Sequence, residues 1–310
     1  MMAGVLTNGQ GEVLLACRPE HLHQGGRWEF PGGKLEPGEE RAAGLCRELL
    51  EEIGVQVQTA RPLIAVNHRY PERLVRLDVW QVQSWSGEPY GREGQVVEWV
   101  HPSQFGEREF PPADIPIFDA IDLPDRYLIT GDFSGGDAQP FLRQLARRLE
   151  ATAIELVQLR VKSCPPGQLS SLCKAVVDVA AKRGARVLLN DAIDLVEPSG
   201  AAGVHLTSAG LARCDERPLP ETFLVGASCH GPEELGLAQS IAANFAVLAP
   251  VQPTMSHPGA PTLGWEAFQS LVGQANLPVF ALGGVGEGDL SLAWQHGGQG
   301  IAAISAFWNE

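Results

Sequence analysis

Gly33-Lys34-Leu35-Glu36-Pro37-Gly38-Glu39, followed by Arg47-Glu48-Leu49-Leu50-Glu51-Glu52-Ile53-Gly54-Val55, is the stretch on which the reading of this chain turns. It satisfies G-x5-E-x7-R-E-U-x-E-E-x-G-U, with U a bulky aliphatic residue, at all nine restricted positions. Glu48, Glu51 and Glu52 stand at i, i+3 and i+4, so a helix carries the three carboxylates on one face. Leu45, Leu49, Leu50 and Ile53 are expected on the other side as the buried stripe. Like charges at this spacing repel unless a cation sits among them, and hard oxygen ligands point to magnesium, or alternatively manganese. Gly54 is expected to end the helix in a left-handed turn. Gly32-Gly33 lets a loop fold back tightly, and Glu39 leads into the helix. An isolated Glu-Glu pair would read as a solvated helix face; the complete pattern turns the reading towards a metal site.

The rest of the chain sets the frame. A length of 310 residues suggests two domains, and 19% charged with 44% hydrophobic residues describes a soluble globular protein. No apolar run reaches the ~20 residues of a membrane span, and the N-terminus lacks the basic-then-apolar pattern of a signal peptide. Cys17, Cys46, Cys164, Cys173, Cys214 and Cys229 show no C-x-x-C pairing, which suits reduced thiols in the cytoplasm. The net charge of −14 argues against a polynucleotide partner, which needs a basic stripe. Residues 1–125 carry −9 of that charge, a surplus of acid that suits a metal-binding half. Oligomeric state is not legible.

The chain changes rhythm near residue 125. Before it, Val13–Ala16, Leu74–Gln83 and Val96–Val100 read as strands, with a hairpin turn at Gly9-Gln10-Gly11. Leu123-Pro124-Asp125 reads as a linker, giving domains 1–125 and 126–310. After it come eight short runs: 127–130, 154–160, 186–190, 203–206, 223–227, 245–249, 279–282 and 300–305. Amphipathic stretches at 138–150, 168–183 and 232–243 lie between them. Eight strands alternating with helices indicate an α/β fold, a compact (β/α)8 TIM barrel, over an open doubly wound sheet.

The box resembles the signature of Nudix hydrolases, which cleave a nucleoside diphosphate linked to another group. The first domain is further similar to MutT-type 8-oxo-dGTP diphosphatases at Glu29-Phe30-Pro31-Gly32-Gly33-Lys34, Gly87-Glu88-Pro89, Gly91-Arg92-Glu93-Gly94-Gln95, Glu98-Trp99 and Phe110-Pro111-Pro112-Ala113. The resemblance implies an α/β/α sandwich with a mixed sheet, and metal binding by Glu48, Glu51, Glu52, Glu93 and the Gly33 carbonyl. Those four glutamates are the catalytic candidates, with Glu93 placed to orient or deprotonate water. Substrate contacts are implied at Arg18, Glu29, Phe30, Arg73 and Asp114, and Arg47 reads as a structural partner of the box carboxylates. Phe30 reads equally well as a base-contacting wall and as a plain core aromatic. Asp114 departs from the family, which has a base-reading asparagine there. A protonated Asp114 mimics asparagine, accepting from the N7–H of 8-oxoguanine and donating to its O6; an ionised one repels O6. The N-terminal Met1-Met2-Ala3-Gly4-Val5 begins partway into the family's first strand, so the strand is expected to be short or to start upstream.

Residues 126–310 resemble thiamine phosphate synthase and the related thiazole tautomerase. The resemblance rests on Tyr127-Leu128-Ile129-Thr130, Gln158-Leu159-Arg160-Val161-Lys162, Leu188-Leu189-Asn190-Asp191, Gly203-Val204-His205-Leu206, Gly226-Ala227-Ser228-Cys229-His230 and Ala281-Leu282-Gly283-Gly284-Val285. It implies a phosphate or ligand site of Arg160, Lys162, Asn190, Asp191, Ser228, Gly283, Gly284 and Ser305 at the C-terminal ends of the strands, with Asp191 towards magnesium. Two pieces are missing. The synthase's second magnesium aspartate falls at Gly210, and its Thr-x-Thr-Lys clamp reads Thr254-Met255-Ser256-His257.

The leading expectation is a pyrophosphohydrolase that turns 8-oxo-dGTP into 8-oxo-dGMP and pyrophosphate, cleansing the nucleotide pool and so serving DNA replication and repair. The barrel then binds a phosphorylated, thiamine-related ligand without synthase turnover. Two alternatives stand beside it: hydrolysis of thiamine diphosphate or a damaged or pyrophosphorylated thiamine precursor, and a barrel that is a ligand-binding or interaction module.

Overall fold

The computed structural model describes residues 1–21, 23–254, 259 and 261–309, and divides into two compact units, Met1–Asp122 and Leu123–Glu310. In the first unit the strands are β1 (Met2–Leu6), β2 (Val13–Cys17), β3 (Trp28–Glu29) and β4 (Gly32–Gly33) before helix α1 (Arg41–Ile53). The strands β5 (Gln56–Arg69), β6 (Leu74–Ser86) and β7 (Val97–Val100) follow, then helix α2 (Ile115–Asp122). One sheet has the order β4-β1-β6-β5, with β1 and β6 parallel and the outer pairs antiparallel, so it is mixed; β3-β2-β7 form an antiparallel second sheet.

Alternation along β1 explains the two helical layers. Met2 and Leu6 pack with Leu45, Leu49 and Ile53 of α1, while Ala3 and Val5 pack with Ile117 and Ala120 of α2. Period-two side chains thus feed two cores on opposite sheet faces. β1 pairs with β6 at each of its five residues. Strand β5 was not among the expected strands. Its Pro62 interrupts the strand pattern, and register shifts between Val57 and Ile64 accommodate the break. One expectation for α1 fails: Leu50 is 45% exposed. It sits one residue, about 100° of helix, round from Leu49, whereas Leu45, Leu49 and Ile53 repeat at i+4 and are buried. Gly54 does end the helix in the left-handed region, at φ 73°.

In the second unit eight parallel strands close a barrel in chain order: β8 (Arg126–Ile129), β9 (Leu156–Leu159), β10 (Arg186–Asn190), β11 (Gly203–Leu206), β12 (Leu224–Cys229), β13 (Phe245–Leu248), β14 (Val279–Leu282) and β15 (Gly300–Ala303). The expected strands are all present, three with the expected bounds and five with ends shifted by one or two residues. Helices α3 (Gln139–Ala151), α4 (Pro166–Ala181), α5 (Val196–Ser199), α6 (Ser208–Leu211), α7 (Pro232–Ser240), α8 (Gly264–Val272), α9 (Leu290–Gln295) and α10 (Ser305–Trp308) lie between or after the strands. Tyr127, Ile129, Leu156, Leu188, Phe245, Val247 and Phe280 fill the interior, and a larger apolar layer packs the helices outside. Leu123, in the stretch read as a linker, is buried in that interior, and its carbonyl accepts from Gln299 Nε2 at 2.8 Å. Ser305 lies beyond β15, at the start of α10. No helix among the described residues is long and apolar enough to cross a membrane.

Candidate active site

Arg47 organises the loop-helix motif. Its Nε and Nη2 donate to the two oxygens of Glu39 at 2.9 and 2.8 Å, and Nη1 donates to Glu48 and Glu51 at 2.9 and 3.1 Å. Nη2 also donates to the Lys34 carbonyl at 3.1 Å, tying loop to helix. The Arg47 hydrogen bonds hold Glu39 down at about 2, with help from the Glu36 N–H. The structural role expected for Arg47 is what its bonding describes.

Glu52 faces the Gly-rich turn: Oε2 accepts from the Gly32 N–H at 2.6 Å. Burial pushes its carboxyl up to about 7, with Glu29 and Glu93 adding repulsion against the hydrogen bonds from Gly32 and Gln95. Gly33 is demanded by space, since a Cβ there would lie 2.0 Å from Glu48 Oε2. The chain thereby brings the Gly33 backbone against the carboxylate helix. Glu93 is exposed on the loop between β6 and β7. Tyr90 N–H donates to the Ile53 carbonyl, and the Arg92 N–H and Nη1 donate to the Glu52 and Leu50 carbonyls, pinning that loop to the end of α1. Among the described residues no three His, Cys, Asp or Glu side chains are gathered closely enough to hold an ion, and Arg47 and the Gly32 N–H each engage one oxygen of a box glutamate. The donor set is nevertheless that of a hard divalent cation: carboxylates of one helix, with the Gly33 backbone packed against Glu48.

A cleft on the same unit is lined by Arg18, Glu29, Phe30, Tyr70, Arg73 and Asp114. Arg18 is ion-paired with Glu29, and its Nε donates to the His23 carbonyl at 3.1 Å. Arg73 Nη2 lies 3.3 Å from His23 Nδ1, so the loop after β2 and the β5–β6 turn meet at the cleft. Burial raises Glu29 in spite of Arg18. Phe30 packs on Phe105, Phe110 and Phe118 and also lines the cleft. Asp114 is 5% exposed. Burial pushes its carboxyl up to about 8, with Glu29 adding to the effect and the Phe30 N–H and Arg18 opposing it. No Lys, Arg or His among the described residues forms an ion pair with it. His23 and Tyr70 were not singled out in sequence; nothing in their spacing marks them, since the cleft is assembled from separate loops.

At the C-terminal end of the barrel, Arg160 and Asn190 are half-buried and Lys162 is exposed. Gln158, 2% exposed, donates to Asn190 Oδ1 at 2.8 Å. The Arg160 N–H donates to Thr130 Oγ1 at 3.0 Å. Asp191 turns its carboxylate onto Thr207, taking the Thr207 N–H at 2.8 Å and its hydroxyl at 2.7 Å. A Cβ at position 210 would lie 2.3 Å from Asp191 Oδ1, so Gly210 leaves room for that carboxylate. Gly283 and Gly284 adopt φ of 96° and 70°, and a Cβ on either would strike the 250–253 segment. Ser228 is half-buried at the end of β12, and Ser305 is exposed. Met255, Ser256 and His257 of the expected phosphate clamp lie outside the described residues.

Comparison with known proteins agrees with this division. The family described as thiamine monophosphate synthase matches residues 126–307, and the family described as NUDIX domain matches residues 2–120. An Escherichia coli K12 8-oxo-dGTP diphosphatase is 36% identical over 114 residues, 37% of this chain and 88% of that protein. An E. coli K12 CTP pyrophosphohydrolase is 36% identical over 111 residues, 36% of this chain and 82% of that protein. A putative thiamine-phosphate synthase 2 from Aquifex aeolicus is 32% identical over 187 residues, 60% of this chain and 99% of that protein. The chain therefore belongs to both families, a Nudix pyrophosphohydrolase domain followed in one polypeptide by a thiamine monophosphate synthase domain.

Proposed function

We propose that the Nudix domain hydrolyses 8-oxo-dGTP to 8-oxo-dGMP and pyrophosphate. The observation that carries this reading is Asp114: a buried carboxyl with no cationic partner among the described residues, in a cleft that also holds Phe30, Arg18 and Arg73. Held neutral by burial, it offers one acceptor and one donor, the pair that 8-oxoguanine's N7–H and O6 require. Plain guanine has no hydrogen on N7, so the acceptor is what separates the two bases. Glu48, Glu51, Glu52, Glu93 and the Gly33 carbonyl would hold magnesium or manganese. Bound there, the metal supplies charge neutralisation on the phosphate oxygens and a more acidic water. Glu93 is the carboxylate on the remote loop and orients or deprotonates the attacking water. Phe30 walls the base, and Arg18, Glu29 and Arg73 position the nucleotide. The similarity to an 8-oxo-dGTP diphosphatase supports the assignment. A steady-state comparison of 8-oxo-dGTP and dGTP, for the protein and for Asp114→Asn, tests it. If Asp114→Asn leaves the preference and its pH profile unchanged, Asp114 does not read the base.

The barrel, on this reading, binds a phosphorylated ligand at Arg160, Lys162, Asn190, Ser228, Ser305 and the Gly283-Gly284 turn, without synthase turnover. Support comes from Asp191, whose two oxygens are engaged by Thr207, and from Gly210, which supplies no carboxylate. Assay of thiamine phosphate formation is expected to give none. The fusion itself favours a second reading, hydrolysis of thiamine diphosphate or a related pyrophosphate by the Nudix domain; thiamine diphosphate is therefore the third substrate of the comparison.

A further inference from the structure

Tyr70 follows β5 at the turn into β6 and lines the cleft together with Asp114, yet none of the steps described above uses it. Reciprocal bonds with Arg73 fix its backbone: the Tyr70 N–H donates to the Arg73 carbonyl at 2.9 Å, and the Arg73 N–H to the Tyr70 carbonyl at 3.3 Å. Tyr70 is 8% exposed and shares a small apolar cluster with Val75 and Ala113. His68 and His23 meet its ring edge-on, their centroids 4.5 and 5.2 Å away. A side chain packed in this way has little freedom left beyond rotation of its hydroxyl.

That hydroxyl both donates and accepts. The Ala113 N–H donates to its oxygen, which ties the tyrosine to the residue before Asp114. Accepting from an N–H does not use the hydroxyl's own hydrogen, so the phenol still has a proton to give. Burial pushes its titration up against the effect of the Ala113 bond, and the proton is kept at neutral pH. Among the described residues no side-chain hydrogen bond joins Tyr70 to Asp114, Glu29 or Arg18. Phe30, Val75, Leu77 and Ala113, which line the cleft with it, have no side-chain acceptor. The cleft therefore holds a donor next to the Asp114 carboxyl.

8-Oxoguanine presents O6, N7–H and O8 along one edge: an acceptor, a donor and an acceptor. Asp114, in the role proposed above, serves the first two. We infer that the Tyr70 hydroxyl is a specificity-determining donor to O8, so that the cleft meets all three atoms of the oxidised edge. Plain guanine carries a hydrogen on C8 in place of O8, and binding it would leave the Tyr70 proton facing a C–H group. A buried donor without a partner costs free energy, so the tyrosine selects against the unoxidised base as well as for the oxidised one. The inference rests on the 8-oxo-dGTP reading of the Nudix domain and adds a second selecting contact to it.

The test is Tyr70→Phe in the full chain, which keeps the ring and removes the hydroxyl, assayed by steady-state kinetics with magnesium on 8-oxo-dGTP and dGTP. The preference for 8-oxo-dGTP in kcat/KM is expected to fall about 3- to 10-fold, the scale of one neutral hydrogen bond. The loss should appear as a raised KM for 8-oxo-dGTP, since the base contact is the same in the ground and transition states. An unchanged preference overturns the inference. So does an equal loss on both nucleotides, which would mean that Tyr70 only positions the Ala113–Asp114 segment, whose contact with O6 both bases share. A change of substrate gives a second measurement that needs no variant: 8-thio-dGTP keeps N7–H but puts a weak sulfur acceptor in place of O8. With the unsubstituted protein its kcat/KM is expected to lie about 3- to 10-fold below that of 8-oxo-dGTP, again one hydrogen bond. Equal values overturn the inference. If the unsubstituted protein shows no preference for 8-oxo-dGTP over dGTP, the substrate reading falls and takes the inference with it; a preference that ignores Tyr70 removes the inference alone.

Discussion

Asp114 and Asp191 sit at the two candidate sites, one in each unit, and their surroundings are opposed. Asp114 is almost wholly buried, with Glu29 rather than a cation as the first charge felt, and its carboxyl is pushed up to about 8. Asp191 is half-buried, and both its oxygens are taken by the N–H and hydroxyl of Thr207. A buried polar group left without strong partners costs stability unless something else uses it. The two bonds from Thr207 use one acceptor site on each oxygen of Asp191 and tie its loop to the start of α6. The contrast is between a buried carboxyl with no ion-pair partner among the described residues and one whose two oxygens accept from a neighbouring loop.

The comparison can be broken first at the metal side. Glu52→Gln is expected to lower kcat/KM for the Nudix substrate by about 10³-fold, the scale of losing a preorganised electrostatic group. The same change should leave the barrel's folding transition unaltered in calorimetry. A drop below about tenfold would take Glu52 out of the reacting centre.

Next in size is base selection. Asp114→Ala is expected to cut the 8-oxo-dGTP over dGTP preference by about 10- to 100-fold, the equivalent of ~1–3 kcal/mol for an unmade buried hydrogen bond. Asp114→Asn should keep the preference and lose its pH dependence. In the unsubstituted protein the preference is expected to hold at pH 6–7 and decay as the carboxyl ionises near pH 8. The other charged or titratable groups facing Asp114 are Glu29, Arg18 and Tyr70.

Stability gives a third handle. The folded value of Asp114 lies above its ordinary 3.8, so the folded chain retains a proton that the unfolded chain has lost. The contribution is complete below about pH 4 and disappears as pH rises through about 8. The Nudix unfolding temperature of nucleotide-free protein should therefore fall from pH 5 to 8, and Asp114→Asn should flatten that fall. An equal slope in both proteins would contradict the buried, neutral carboxyl.

Smaller still is the effect on the barrel. Asp191→Ala removes two hydrogen bonds to Thr207 and is expected to destabilise the barrel by about 1–3 kcal/mol without changing nucleotide hydrolysis. No loss of stability would mean that the Thr207 contacts are not a tie.

How much of this was legible in sequence follows from the kind of signal each element carries. The eight barrel strands were readable because each is a short apolar run bounded by turn residues, buried on both faces. Helix α1 was readable from its fixed pattern, except that Leu50 was counted with the buried stripe although it lies one residue round the helix from Leu49. Strand β5 was missed because Pro62 interrupts it and a bulge, invisible in sequence, restores the pairing. Asp114 stood out as a departure from a resembling family, whereas His23 and Tyr70 reach the cleft from separate loops and carry no local mark. The Thr207 contacts of Asp191 depend on a left-handed residue at φ 53°, a conformation that composition does not announce for aspartate.

The most direct measurement is kcat/KM with magnesium on 8-oxo-dGTP, dGTP and thiamine diphosphate, across pH 6 to 9, for the protein and Asp114→Asn, with pyrophosphate and phosphate assayed separately. The expected result is pyrophosphate release with 8-oxo-dGTP strongly preferred at neutral pH, a preference that decays near pH 8 and does so only while Asp114 is present. Preference for thiamine diphosphate, or a pH profile identical in the two proteins, would contradict the account.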